Sequence, residues 1–185
     1  MKVTNFLTTD DYSKSDPRIK WIMDSLSSLY ESKETICKIE NGKVVIYGDI
    51  LISDEYQELP YKIDEVFGSV VLENAYQHKH GELRSLKNFP TIIHGKFECQ
   101  MNPKLTSLEG GPEVVDGSYW CNGCSLTDLN GVAKQIGGHL LAFNNEITDI
   151  SALKSSKIDM EITLSESANK DPYYKELQRQ NKIVE

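Results

Sequence analysis

The stretch Leu105-Thr106-Ser107-Leu108-Glu109-Gly110-Gly111-Pro112-Glu113-Val114-Val115-Asp116-Gly117-Ser118-Tyr119-Trp120-Cys121 decides the fold. Its second half places an apolar residue two positions before a glycine, and then apolar residues two and four positions after it. Working outward, the same pattern returns at Ile46 to Ile52 around Gly48 and at Val66 to Leu72 around Gly68. It returns again at Ile93 to Cys99 around Gly95 and at Ile136 to Ala142 around Gly138. Successive glycines stand 20, 27, 22 and 21 residues apart. A fixed period of that size marks a stack of small supersecondary units, each burying its apolar side against the next. Such a stack offers an extended surface rather than a deep pocket, which weights a binding role above catalysis.

After each apolar pair comes an Asn or Cys and then two aliphatics: Asn102 with Leu105 and Leu108, Cys124 with Leu126 and Leu129, Asn145 with Ile147 and Ile150. This is the leucine-rich-repeat signature, and all four glycine intervals lie within its range. Alternate strand residues share the core, while an Asn or Cys at the bend can serve backbone groups that the turn leaves unpaired. Pro60, Pro90 and Pro112 interrupt the return segments, where a missing N–H costs least. The expected fold class is α+β: a leucine-rich-repeat-like β solenoid of about five to six rungs, with an N-terminal capping helix and a short C-terminal helix.

Three segments follow from the pattern. Residues 1–35 read as a polar N-terminus, loose to about residue 15, and a capping helix. Asp16-Pro17 supplies an N-cap and a first-turn proline, and Ile19, Ile22, Met23, Leu26, Leu29 and Tyr30 recur at helical spacing to about Tyr30. The solenoid occupies 36–164, entered through a hairpin at Asn41-Gly42 and closed by a strand in which Ile158, Met160, Ile162 and Leu164 alternate inward. Residues 165–185 read as a C-terminal helix or tail opened by Asp171-Pro172. The helices are expected to close the two open ends of the stack.

A chain of 185 residues fits one domain. The formal charge of −8 argues against phosphate-driven nucleic-acid binding, and the mixed placement of charges weakens an acidic mimic of nucleic acid. No apolar run is long enough for a membrane span or a signal peptide, so a cytoplasmic location with no membrane partner is expected. Cys37, Cys99, Cys121 and Cys124 then read as reduced thiols, with Cys99 and Cys121 in equivalent inward positions of adjacent rungs. Cys121-Asn122-Gly123-Cys124 has redox-motif spacing but lies in a repeat strand and bend, not at a helix N-terminus. No metal or cofactor is expected, and no phosphate loop or catalytic motif stands in the chain.

Leu105-Thr106-Ser107-Leu108-Glu109-Gly110-Gly111-Pro112, followed by Val115-Asp116-Gly117-Ser118-Tyr119-Trp120-Cys121, resembles the repeats of small leucine-rich-repeat-like proteins encoded by tailed bacteriophages. The lead-in from Ile39 to Ile50 is similar to theirs too, so the resemblance spans roughly residues 36 to 151. It departs in two places. The rung containing Gly81, Leu83 and Leu86 comes late after Leu72, and Val132-Ala133 stands where the motif has proline. The resemblance implies protein binding without catalysis, in a phage directed at a host protein, within the infected bacterial host's cytoplasm.

Candidate contact residues come from the strand positions between inward neighbours. That column reads Leu51, Val71, Glu98, Trp120 and Leu141, and the next outward column contributes Phe143, so Trp120, Leu141 and Phe143 are expected to form one patch. An apolar patch with a Trp has the composition of an interface centre. Its alternative occupants are a foreign protein, a second copy of the chain in a structural or self-assembling role, or a terminal helix. The insertion from Glu73 to Gly81 carries Tyr76, His78 and His80 and is a second candidate contact region. A small enzyme with a site near His78 and His80 or the Cys pair is the reading from another class.

Overall fold

The computed structural model describes residues 6–7, 16–28, 35–77 and 79–184. The chain enters through β1 (Phe6–Leu7), α1 (Pro17–Ser25), β2 (Ser27–Ser28) and an antiparallel hairpin of β3 (Thr35–Glu40) with β4 (Lys43–Tyr47). The segment expected to be loose up to residue 15 contains β1, which pairs in parallel with Thr35 and Ile36. At the hairpin, Asn41 and Gly42 adopt φ of 51° and 80°, the left-handed pair whose twist suits a two-residue turn. The Asp16 carboxylate accepts from the Arg18 amide at 2.8 Å and caps α1, and Ile19, Ile22 and Leu26 are wholly buried.

The helix is shorter than its apolar spacing suggests. It stops at Ser25, Leu26 turns extended, and Ser27–Ser28 pair antiparallel with Leu51 and Ile50. Strand pairing at the sheet edge satisfies backbone groups that a further helical turn would have satisfied internally, so it competes directly with that turn. Leu29 and Tyr30 lie outside the described residues.

The rungs are built from pairs of short strands: β5 (Ile50–Ile52) follows β4, then come β6 (Glu65–Phe67) and β7 (Val70–Leu72), with a one-turn α2 (Glu73–Tyr76) after them. The series continues as β8 (Ile92–Ile93) and β9 (Phe97–Glu98), β10 (Val114–Val115) and β11 (Tyr119–Trp120), β12 (Gln135–Ile136) and β13 (Leu140–Ala142), β14 (Lys157–Ile158) and β15 (Ile162–Leu164). Even-numbered strands from β4 to β14 stack in parallel as one sheet with β3 and β1 at its edge, and odd-numbered strands from β5 to β15 stack as a second with β2 at its edge. The result is a β solenoid of about five turns. The repeated heptapeptide is therefore two strands and a corner, one sheet before the glycine and another after it.

Why the corner is glycine follows from the stacking. A Cβ on Gly68 would lie 2.4 Å from the carbonyl carbon of Gly48, and one on Gly95 would lie 2.6 Å from that of Gly68. Neither needs a left-handed backbone; each is pressed against the same corner of the preceding rung, which leaves no volume for a side chain.

Between the sheets lies one continuous core, with Phe97 edge-on to Tyr119 at 5.0 Å and Phe89 tilted against Phe97 at 5.8 Å. At the bends, Asn102 accepts from the Leu83 amide at 3.1 Å and donates to the carbonyls of Cys99 and Gln100, both at 3.0 Å. Asn145 repeats this with the Leu126 amide and the carbonyls of Cys121 and Ala142. These amides tie adjacent rungs through backbone groups that the bend would strand.

The last rung departs from simple alternation. Ile158 and Ile162 are buried, but Met160 is 50% exposed, because it sits at the corner between β14 and β15 rather than within one strand. Beyond it, α3 (Pro172–Arg179) buries Leu177 against the end of the stack. Asp171 caps this helix at the Tyr173 amide and also accepts from the Ile150 amide, both at 2.8 Å. The Lys182 ammonium donates to the carbonyls of Ile158 at 2.9 Å and Asp159 at 3.1 Å, blunting the terminal strand edge.

Candidate interaction face

The second sheet places the selected column in parallel register: Leu51 beside Val71, Val71 beside Glu98, Glu98 beside Trp120, and Trp120 beside Leu141. Leu51, Trp120, Leu141 and Phe143 are partly exposed. Val71 and Glu98 are not: they are 1% and 5% exposed, so the expected open column is interrupted at two of its members. For Glu98 the neighbours account for this. The Lys96 ammonium lies 2.5 Å from its Oε1 and 5.5 Å above the Trp120 ring, so one lysine side chain spans both residues. The attraction of a cation to the indole face adds to the ion pair and holds the lysine along the sheet.

The open part of this face is thus Trp120 with Leu141 directly opposite and Phe143 two residues further along. Two polar atoms in the same neighbourhood, Trp120 Nε1 and Asn122 Oδ1, are buried without a hydrogen-bond partner, whereas Glu98 Oε1 is met by the Lys96 ammonium. By contrast, the indole N–H of Trp21 donates to the Tyr56 hydroxyl at 3.1 Å.

The insertion after Leu72 folds as α2, and Asn74 within it donates to the Gln100 carbonyl at 2.9 Å, fastening it to the next bend. Tyr76 ends this helix, His80 is exposed, and His78 lies outside the described residues. Among the described residues, no group of three or more His, Cys, Asp or Glu side chains is placed to hold a metal.

All four cysteines are free and buried. Burial pushes the Cys37 thiol up to about 12 and Cys124 up to about 11, and it raises Cys99 and Cys121 well above the usual thiol range. Cys124 takes the bend position that Asn occupies elsewhere and donates its thiol to the Cys99 carbonyl at 3.5 Å. This is the reverse of what a nucleophilic or redox thiol needs.

The first sheet carries an outer column that the strand reading passed over. Tyr47 stacks on Phe67 at 4.8 Å, and Phe67 on His94 at 4.3 Å. His94 is held between Glu65 Oε1, 2.8 Å from Nε2, and Asp116 Oδ2, 2.7 Å from Nδ1. These carboxylates, Glu65 foremost, raise the imidazole pKa against the opposing effect of burial. The column was visible in the sequence as the residue preceding each corner glycine: Tyr47, Phe67, His94 and Asp116.

A cleft of about 600 Å3 at the C-terminal end is lined by Leu164, Tyr174 and Val184 among others, and none of the sequence-selected residues borders it. No helix among the described residues is long and apolar enough to cross a membrane. No protein-family model, curated protein or solved structure matches the chain.

Proposed function

We propose that this is a non-enzymatic binding protein that docks another protein on the outer face of its second sheet. In the setting of its phage resemblance, it acts as an accessory protein that inhibits or redirects a host protein. The observation that carries the reading is the half-buried Trp120 with Leu141 opposite it and Phe143 beside them, on a sheet face where the Trp120 N–H and Asn122 Oδ1 lack partners. A large aromatic at the centre of a preformed surface loses little conformational freedom on binding and excludes water from much area. The buried, high-pKa thiols weigh against the enzyme reading at the Cys pair.

The test is affinity capture from bacterial lysate with wild type, Trp120→Glu and the opposite-face variant Lys157→Glu side by side, together with light scattering of each purified protein. A host protein retained by wild type and Lys157→Glu but lost with Trp120→Glu supports the reading. A dimer at micromolar concentration that Trp120→Glu converts to monomer shifts the face to self-association. Equal capture by all three variants overturns docking at this face.

A further inference from the structure

We propose that the aromatic cluster of Trp21, Tyr56 and Tyr61 binds a trimethylammonium group. The cluster lies on α1 and on the bend between β5 and β6, apart from the Trp120 face, so the inference does not depend on the docking reading.

The Tyr56 ring stands 5.6 Å from that of Trp21 at 82°, and the Tyr61 ring stands 6.2 Å from it at 56°. Rings stacked nearly parallel, as Tyr47 is on Phe67 at 5°, hide the faces they share; rings set at these wider angles meet as walls and leave face uncovered. All three reach solvent: Tyr61 is 36% exposed, and Trp21 and Tyr56 are partly exposed. The Trp21 indole N–H already donates to the Tyr56 hydroxyl, so the cluster offers a ligand π surface rather than an indole donor.

That surface attracts cations, because the face of an aromatic ring is negative. Elsewhere the protein supplies the cation itself: Lys96 lies 5.5 Å from the Trp120 ring, Lys38 lies 5.0 Å from Tyr47, and Lys154 lies 5.4 Å from Tyr173. Among the described residues, no lysine or arginine is placed over Trp21, Tyr56 or Tyr61. The basic residues next to these rings in the chain are turned elsewhere. Lys20 pairs with Asp24 at 2.5 Å, and the Lys62 ammonium donates to the Phe89 carbonyl at 2.5 Å.

Charge complementarity points the same way. From Ser53 to Tyr61 the bend carries Asp54, Glu55 and Glu58 and no basic residue. Asp54 and Glu58 pair with Lys79 at 2.6 Å and Lys87 at 3.7 Å, whereas Glu55, beside Tyr56 in the chain, is exposed with no ion-pair partner among the described residues. A primary ammonium or guanidinium brings several N–H donors that need acceptors, and the Tyr56 hydroxyl already accepts one bond here. A trimethylammonium has no N–H to strand. Its methyl groups pack on ring faces while its charge is drawn to both the rings and the acidic bend.

Choline is the probe, titrated into 15N-labelled protein while the indole N–H resonances of Trp21 and Trp120 are followed. Trp120, whose ring already carries Lys96, is the internal control. The expected result is a saturable movement of the Trp21 indole with Trp120 unmoved. The neutral alcohol in which carbon replaces the choline nitrogen should bind about tenfold more weakly. Choline should weaken similarly on Tyr61→Leu, which keeps apolar bulk without a ring and whose dispersed spectrum reports intact folding. Acetylated trimethyllysine amide, titrated in parallel, separates the two sources of the group: tighter binding than choline assigns it to a methylated lysine of a partner, and weaker binding to a small molecule. A Trp21 indole that stays in place, equal binding of the neutral alcohol, or undiminished binding by Tyr61→Leu overturns the inference.

Discussion

The outer faces of the two sheets are made by the same backbone repeat and differ in how completely they satisfy themselves. On the first sheet, Tyr47, Phe67 and His94 stack ring on ring, the imidazole bonds two carboxylates, and the Tyr47 hydroxyl donates to Glu40 at 3.1 Å. Each ring of that column packs on the ring of an adjacent rung, which ties the rungs together while leaving Phe67 42% exposed. On the second sheet, Trp120 has an aliphatic neighbour and a lysine over its face, while its N–H and the nearby Asn122 Oδ1 lack partners. A repeat protein must build identical ladders to fold, but only one ladder has to be finished by itself. The unfinished one is where binding free energy is available, because bonds to a partner replace none already made.

The largest expected effect separates interior from face within one strand. Tyr119 is fully buried between Phe97 and Leu140 of the flanking rungs, and Trp120 next to it is the centre of the open patch. Tyr119→Ala should destabilise the fold by about 3 kcal/mol, since the cavity lies mid-stack and both neighbouring rungs lose contacts. Trp120→Glu should cost no more than about 1 kcal/mol and retain the native circular dichroism spectrum. Melting curves of both variants check this, and an early-melting Trp120 variant beside a stable Tyr119 variant would reverse the assignment of inside and outside.

A smaller effect is expected at the corner that joins the faces. Gly95→Ala places a methyl group 2.6 Å from backbone of the preceding rung, which no rotamer can relieve. The rungs must separate locally, at a cost of about 2 kcal/mol, read as a lower urea midpoint with an unchanged slope. Both faces share this corner, so the column of stacked rings and the Trp120 patch should loosen together. A stability equal to wild type would mean that the two sheets adjust independently, and the contrast between a closed and an open face would lose its common scaffold.

How much of this was readable from sequence depends on the range of the physics involved. Rung period, inward residues such as Tyr119 and Cys121, the bend asparagines and both helix caps are set by neighbours within a few positions, and their spacing shows. That the heptapeptide is two strands was not legible, because alternation on either side of a glycine reads the same whether the chain bends there or continues straight. Met160 was misplaced for that reason. The burial of Glu98 was hidden differently: it depends on Lys96 lying along the sheet toward Trp120, a contact between side chains of two rungs. The early end of α1 was decided by pairing with residues 50 and 51, some two dozen positions away.

The smallest effect tests whether the closed face is closed by charge. With both ring nitrogens facing carboxylates, His94 is best served as imidazolium, and its folded pKa is raised above the unfolded value near 6.5. The sign follows from linkage. A raised histidine pKa contributes stability that is fully present below the unfolded value and is lost as pH rises through the folded value. Glu65 and Asp116 supply the charge, Phe67 packs on the ring, and the Lys38 ammonium lies 5.0 Å from the Tyr47 ring at the other end of the stack. Urea midpoints of wild type should therefore fall from pH 6.5 toward alkaline pH by more than those of His94→Gln, which keeps polar contacts but cannot titrate. Added salt should shrink the difference, because the ion pairs are partly exposed. Parallel midpoint curves for the two proteins would show that the ring stack alone closes this face, and that charge has no part in the difference between the two sheets.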